Sequence, residues 1–373
     1  MRLTGRLFDP HQGFVQGTLC IEGDTIVSQA GGEEFDLGEC YIIPGLTDLH
    51  FHGCKGADAS DGDAGGLQTM ADYQLSRGVT QICPAAMTLP QERLIQVCQT
   101  AARHAKTATA GAELVGLNLE GPFLSPEKRG AQNGAWLQKP DMALLERLVE
   151  ASNGLVKLVS VAPELEGALD FIRGAKELCR VSLGHTNADY DTALAAFEQG
   201  ASQVTHLFNA MPPFGHRDPG VVGAAVDSPG VMCELIADGV HVHPAVIRAA
   251  FRMFGKDRVI LISDSIRSTG LGDGRYDLGG QDVRVQEGRA TLLGGVLAGS
   301  CTDLMDCLRR AVSFGVPMAH AVTAAALNPA KALGIQERFG TLDSGKAANL
   351  AILNEDLTLK AVVFRGKLEY GAL

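Results

Sequence analysis

The run 41-YIIPGLTDLHFHGCKG-56 sets Asp48, His50 and His52 at every second position of a strand-forming segment. Residues two apart in a strand project from one side, so these three are expected to point together at its C-terminal end. A buried row of one carboxylate and two imidazoles is costly unless something pairs with it. Further side chains of the same kind close other apolar runs: Glu120 in NLEGPF, His185 in LGHT, His206 in THLFNAM and Asp264 in ISDS. Three or four such nitrogen and oxygen donors around an open position describe a catalytic zinc-type site. Six, with one carboxylate placed to bridge, suffice for two ions roughly 3.5–4 Å apart. A lone strand-end histidine is more often a satisfied structural residue. The joint placement of His50, His52, Glu120, His185, His206 and Asp264 is what points to a cation and activated water.

Such placement requires elements that bring distant residues to one rim. Short runs rich in Val, Ile and Leu begin at residues 41, 79, 113, 155, 179, 203, 231 and 258. Their near-continuous apolar character is that of strands buried on both faces of a parallel sheet. Helical patterns lie between them, as in 91-QERLIQVCQTAARHAK, 141-DMALLERLVEAS, 189-DYDTALAAFEQG and 244-PAVIRAAFRMFG, the last opened by Pro244 and stopped by Gly255. Eight strands alternating with helices predict an α/β fold, a (β/α)8 TIM barrel whose functional groups sit at the strands' C-terminal ends. A doubly wound sheet would instead want a glycine-rich phosphate loop after its first strand.

The two ends read differently. Residues 1–42 and 342–373 carry short runs broken by tight turns at IEGD and FRGK, predicting a small β-sandwich built from both termini. Residues 43–341 then form the barrel, with a hairpin insertion near 280–293 that turns at Glu287-Gly288 and is placed to flap over the mouth.

The net charge of −11 argues against nucleic acid and anionic membrane as partners, so an anionic ligand must meet local cations or a metal. The start of the chain has no leader pattern, and no apolar run approaches the roughly 18–20 residues needed to span a bilayer. The nine cysteines contain no C-x-x-C pair, and Cys83, Cys179 and Cys233 sit in apolar runs as small buried hydrophobes. A reducing cytoplasm fits these features. Arg217, in the Pro/Gly-rich loop after the sixth strand, and His241, after the seventh, suit a phosphate, which the planar guanidinium fork of arginine matches. His216 and His243 read as surface residues and Trp136 as packing.

PGLTDLHFHG, NLEGPF, GHT, THLFNAMPPF-x-x-R-x-PG, ADGVHVHP, SDS, LAGS and GTLDSGKAANLAIL, in that order along essentially the whole chain, resemble the N-acetylglucosamine-6-phosphate deacetylases of the amidohydrolase superfamily. The resemblance implies a metal-bearing barrel with a small β-sandwich, assembled as a homodimer whose neighbouring subunit grips part of the phosphate. It implies that Glu120, His185 and His206 hold the principal divalent ion, with His50 and His52 suited to a second and Glu120 bridging. Zinc is the first expectation, with iron, manganese or cobalt as alternatives. Asp264 matches the catalytic aspartate. Asn209, Ala210, Arg217 and His241 match sugar-phosphate contacts, and Ala131 and the stretch Ala298, Gly299, Ser300 match further substrate contacts. One departure is Ser265, where the family usually has alanine after the aspartate.

The implied reaction is hydrolysis of an N-acetyl amide on a phosphorylated amino sugar, with Asp264 accepting a proton from water and delivering it to the departing amine. No G-x-S-x-G nucleophile elbow is present. The alternatives are the N-acetylgalactosamine 6-phosphate epimer, cyclic-amide opening, and a non-catalytic scaffold on the same barrel. Cyclic-amide hydrolases generally use a carbamylated lysine where this chain has Glu120, and a scaffold is expected to have lost metal ligands.

Overall fold

A computed structural model describes residues 1–373. All eight runs read as strands are strands: Leu46–Asp48, Val79–Ile82, Leu117–Phe123, Val156–Val161, Arg180–Leu183, Gln203–Val204, Met232–Ile236 and Val259–Ile262. They pair in chain order and in parallel, forming a curled sheet, with Ala85–Ala86 continuing the second strand beside the third. Both faces are covered, which explains runs such as VILI and MCELI in which every residue is buried.

The helices Gln91–Thr107, Met142–Ala151, Tyr190–Gln199 and Pro244–Phe254 lie where periodicity placed them. Asp141 and Asp189 cap two of them through backbone amides, and Pro244 occupies a first-turn position that needs no amide donor. Their apolar faces and the outer faces of the strands join in one core cluster that includes Leu94, Leu145, Phe171, Val181, Ile247 and Leu308. Each such buried side chain contributes on the order of 1.5–3 kcal/mol.

The inward face is unusually polar. Thr205 Oγ1 lies 2.6 Å from Ser182 Oγ and 3.0 Å from Ser160 Oγ, and Thr47 donates to Gln81 Oε1 at 3.1 Å. These groups form a hydrogen-bonded floor beneath the strands' C-terminal ends.

Strands from the two chain ends meet in a single seven-stranded sheet ordered Lys367–Gly371, Leu359–Phe364, Leu350–Leu353, Glu34–Pro44, Arg2–Asp9, Gly13–Glu22 and Thr25–Val27. Leu3, Ile21, Ile42, Leu350 and Val363 form a separate core on it. The turns at IEGD and FRGK pack against each other. A Cβ on Gly366, at φ 72°, would fall 1.8 Å from the Gly23 carbonyl oxygen, so only glycine fits.

The insertion is larger than a hairpin. Gly274–Leu278 precedes Gln281–Gln286 and Arg289–Leu292 in a three-stranded antiparallel sheet, with the turn at Glu287 and Gly288 as expected. Its inner residues Leu278, Val283, Val285 and Ala290 pack on Met87, Ile266 and Ala298, and Gln281 Nε2 donates to the Ala131 carbonyl.

Two local expectations are corrected. The first strand ends at Asp48, so the two-residue alternation does not carry on to His50 and His52; Asp48 instead accepts from the Ser263 hydroxyl at 2.5 Å. Burial pushes its carboxyl up to about 7, against the lowering effect of that hydrogen bond. Trp136, read as packing, is 41% exposed on a short 3-10 turn.

Candidate metal centre

His185, His206 and Asp264, each just beyond its strand, have φ of 47°, 28° and 48°. Left-handed backbone costs a non-glycine residue roughly 1–2 kcal/mol, and here it marks the turns that carry these side chains at the strand ends. Glu120, within the third strand, is at the centre of the cluster. Its Oε1 lies 3.0 Å from His206 Nε2, 3.1 Å from His185 Nε2 and 3.3 Å from His50 Nε2. Its Oε2 lies 3.2 Å from His52 Nε2 and accepts from Gln132 Nε2 at 2.5 Å. Asp264 Oδ1 lies 3.3 Å from His52 Nε2 and 3.8 Å from His50 Nε2.

Two ligand-competent groups result, Glu120–His185–His206 and His50–His52–Asp264, each with its donor atoms within 4.8 Å of one another. The sequence-predicted six therefore converge, and all are buried. The rings are oriented from behind. His52 Nδ1 meets the Ala85 carbonyl at 3.2 Å, His185 Nδ1 the Lys128 carbonyl at 2.9 Å, and His50 Nδ1 the Glu234 carboxylate at 2.7 Å. A carbonyl only accepts, so His52 and His185 carry a proton on Nδ1 and turn Nε2 inward, the atom that ligates once a cation takes the place of any second proton.

The donor set fits a cation. His50 Nε2 and Asp264 Oδ1 are buried without a hydrogen-bond partner. His206 and His185 bring their Nε2 atoms to 3.1 Å from each other, a contact that at most one proton can occupy. No lysine or arginine forms an ion pair with Glu120, Glu234 or Asp264, so imidazolium protons are their only balancing charge. Burial opposes that charge, yet Glu234 and Glu120 hold the His50 imidazole well above its usual range, and the facing Asp264 and Glu120 carboxylates raise His52 to about 10. Burial likewise opposes ionisation of Glu120 and Asp264, and the facing imidazoles still hold both carboxyls below their usual range. A divalent ion replaces those protons with better-matched charge.

The cluster forms the bottom of a cavity of about 210 Å³. Ala131, Asn209, Ala210, His241 and Gly299 line it, as sequence reading placed them. Ala298 and Ser300 lie behind its wall: Ala298 packs under the insertion, and Ser300 donates its backbone amide to the Asp264 carbonyl at 2.7 Å. Arg217 is not on the cavity; it is exposed, with Nη1 2.6 Å from His216 Nε2. His243 is exposed and accepts from Ala245 N at its helix start.

Sequence reading passed over Glu234, Gln132 and Asp238. Glu234 carried a signal, as the only charged residue inside the buried strand Met232–Ile236. Asp238 accepts from His241 Nδ1 at 2.7 Å and from the amides of Val240 and His241. Burial opposes charge on both, but the pairing lowers the Asp238 carboxyl and raises His241.

A parallel sheet carrying imidazoles and carboxylates at its C-terminal ends is the frame of a metal-assisted hydrolase, and the chain belongs to the amidohydrolase family, whose model matches residues 41–368. It is 38% identical to the N-acetylglucosamine-6-phosphate deacetylase of Bacillus subtilis, over 88% of this chain and 84% of that one. It is 34% identical to the N-acetylgalactosamine-6-phosphate deacetylase of Escherichia coli O157:H7, over 88% and 87%. An N-acetyl-D-glucosamine-6-phosphate deacetylase variant from Mycobacterium smegmatis, solved with N-acetyl-D-glucosamine-6-phosphate, superposes at a TM-score of 0.93 with 33% identity, covering 99% of this chain and 98% of that one.

Proposed function

We propose that this chain hydrolyses the N-acetyl group of N-acetylglucosamine 6-phosphate to glucosamine 6-phosphate and acetate, an amide hydrolysis of amino-sugar catabolism. The convergence of Glu120, His185 and His206 on one point at the bottom of the cavity carries the reading, beside relatives of that activity along most of the chain. The galactosamine epimer is the second reading, favoured by the Escherichia coli relative.

Glu120, His185 and His206 would hold one divalent ion and His50, His52 and Asp264 a second, with Glu120 able to bridge; zinc is the first assignment for these imidazole and carboxylate donors, with iron, manganese or cobalt the alternatives. When bound, the ion polarises the acetyl carbonyl and makes water a nucleophile near neutral pH. Asp264, held ionised, takes the water's proton and passes it to the nitrogen that leaves, since an amine is expelled readily only when protonated. His241, its Nδ1 committed to Asp238, has only Nε2 left to donate toward the developing oxyanion. Asn209, Ala210, Ala131 and Gly299 would hold the sugar along the wall.

We assign the curled sheet as a closed (β/α)8 TIM barrel. Hydrogen bonds between the segments that follow the first and eighth strands support closure: Asp264 N donates to the His50 carbonyl at 2.9 Å and His52 N to the Ser265 carbonyl at 2.7 Å. Residues 1–42 with 342–373 would form the small β unit read from the sequence as a sandwich, its strands hydrogen-bonded in one seven-stranded sheet over its own core, and 43–341 the barrel. The cavity has no lysine or arginine in its lining, so the phosphate must find its cation outside it. Arg217 supplies it in this reading, with the neighbouring subunit of a cytoplasmic homodimer; the exposed apolar side chains of Phe214, Leu293 and Val296, the last on the cavity lining, support such an assembly. No helix is long and apolar enough to cross a membrane.

Acetate release from the two epimeric sugar phosphates, before and after complete chelation, tests the reading. Release from the glucosamine form, silenced by chelation and restored by zinc, is expected. Faster release from the galactosamine form selects the second reading, and activity that survives complete demetallation overturns both.

A further inference from the structure

Glu234 has no part in the reaction as described, yet its surroundings are chemically specific. It is the third residue of the strand Met232–Ile236, and its side chain is fully buried. Oε2 lies 2.7 Å from His50 Nδ1 and accepts from the His206 backbone amide at 3.2 Å; Oε1 accepts from Gln203 Nε2 at 2.5 Å. No lysine or arginine reaches it, so His50 is its only cationic or strongly polarised partner.

The four histidines of the centre differ at the nitrogen facing away from it. His52 and His185 are held by neutral carbonyls, and His206 Nδ1 is buried with no partner. His50 alone is backed by a carboxylate. That contact keeps the proton of a neutral His50 ring on Nδ1 and leaves a lone pair on Nε2, which faces Glu120 Oε1 at 3.3 Å and Asp264 Oδ1 at 3.8 Å without a hydrogen bond. It also makes the imidazole a stronger ligand. Without the carboxylate, the ring can move its proton to Nε2 and donate to Glu120 Oε1, which removes a ligand atom from the second group and caps that carboxylate oxygen.

We infer that Glu234 is the positioning residue that commits His50 to metal ligation, so that the His50–His52–Asp264 group takes a second divalent ion beside the one at Glu120–His185–His206. The inference rests on the metal-dependent reading above and adds to it a cause for the occupancy of the second position. The bland alternative is that Glu234 only satisfies Gln203 and the His206 amide inside the barrel. The two differ in what a carboxylate-to-amide exchange does to metal content.

The test compares wild-type protein, E234Q and the exchanged double variant Q203E/E234Q, each demetallated, refilled with zinc and analysed for ions per chain by elemental analysis and chelator competition. The double variant keeps one carboxylate and one amide in the same buried pair but moves the charge off His50, so it answers even if E234Q does not fold. Two ions per wild-type chain are expected. In both variants the more weakly held ion should lose about 10–100-fold in affinity while the tighter one changes less than about threefold. The double variant should regain wild-type thermal stability without regaining the second ion. Two ions held at wild-type affinity by either folded variant, or a single ion in wild type, overturn the inference and leave metal dependence standing. No ion in any of the three overturns the metal reading, and the inference with it.

Discussion

The bottom of the cavity and the loop that carries Arg217 are built by opposite means. At the bottom, Glu120, His50, His52, His185, His206 and Asp264 are buried, and most are fixed from behind by a carbonyl, a carboxylate or an amide. Arg217, outside the cavity, is exposed on the loop after the sixth strand and touches only His216 among polar side chains, and Leu293 is 79% exposed. Groups that stabilise charge as it develops must be aligned beforehand in a low dielectric, and that alignment needs a supporting shell within the same fold. A group that recognises a phosphate gains by staying mobile and hydrated until the ligand arrives, and a second chain can complete it. In the function proposed above, the contrast leaves the chemistry to the buried centre of the sheet and recognition of the anion to an exposed loop.

The largest expected effect breaks the contrast from the bottom. Asp264→Asn removes the carboxylate assigned above to proton transfer but keeps an oxygen in place, so turnover should fall by about 10²–10⁴-fold with the ion proposed at the Glu120 group retained. Near-normal turnover at full metal content removes Asp264 from proton transfer. The next effect sharpens the contrast from the loop. Arg217→Ala should raise KM for N-acetylglucosamine 6-phosphate by about 10–100-fold, the worth of a charge-assisted contact, while kcat and the rate on unphosphorylated N-acetylglucosamine stay near wild type. Equal losses on both sugars take Arg217 out of the phosphate site.

What was legible in the sequence follows the same division. The strands could be read because burial on both faces leaves an uninterrupted apolar run, and their C-terminal ends could be read because histidine or carboxylate is so poorly tolerated there without a partner. Asp48 was misplaced because alternation holds only while the backbone stays extended, and the strand stops at that residue. Gly274–Leu278 was missed because GRYDL has one buried residue of five and so little hydrophobic pattern. Glu234 and Asp238 act on other side chains, not on a ligand, and their meaning depends on contacts from different segments. The pairing of Glu234 with His50 spans 184 residues, a separation that no local spacing rule reaches. The packing of Ala298 and Ser300 behind the wall, with Gly299 on it, depends on how one loop crosses the Asp264 backbone.

The smallest effect tests a contact on the cavity wall. The Asp238 carboxyl is lowered and the His241 imidazole raised, with burial opposing both and their mutual hydrogen bond prevailing. The lowered carboxyl contributes stability that is present above its unfolded pKa of about 3.9 and lost as pH falls through the folded value. The raised imidazole contributes stability that is complete below about 6.5 and lost as pH rises through its own folded value. Asp238→Asn should therefore cost about 1–3 kcal/mol between about pH 4 and 6.5, and progressively less on either side of that window. Denaturant unfolding of wild type and variant across pH 3–9 checks this. A cost independent of pH would mean that the two side chains meet as neutral partners, and that His241 reaches the substrate without the positive charge that favours donation to an oxyanion.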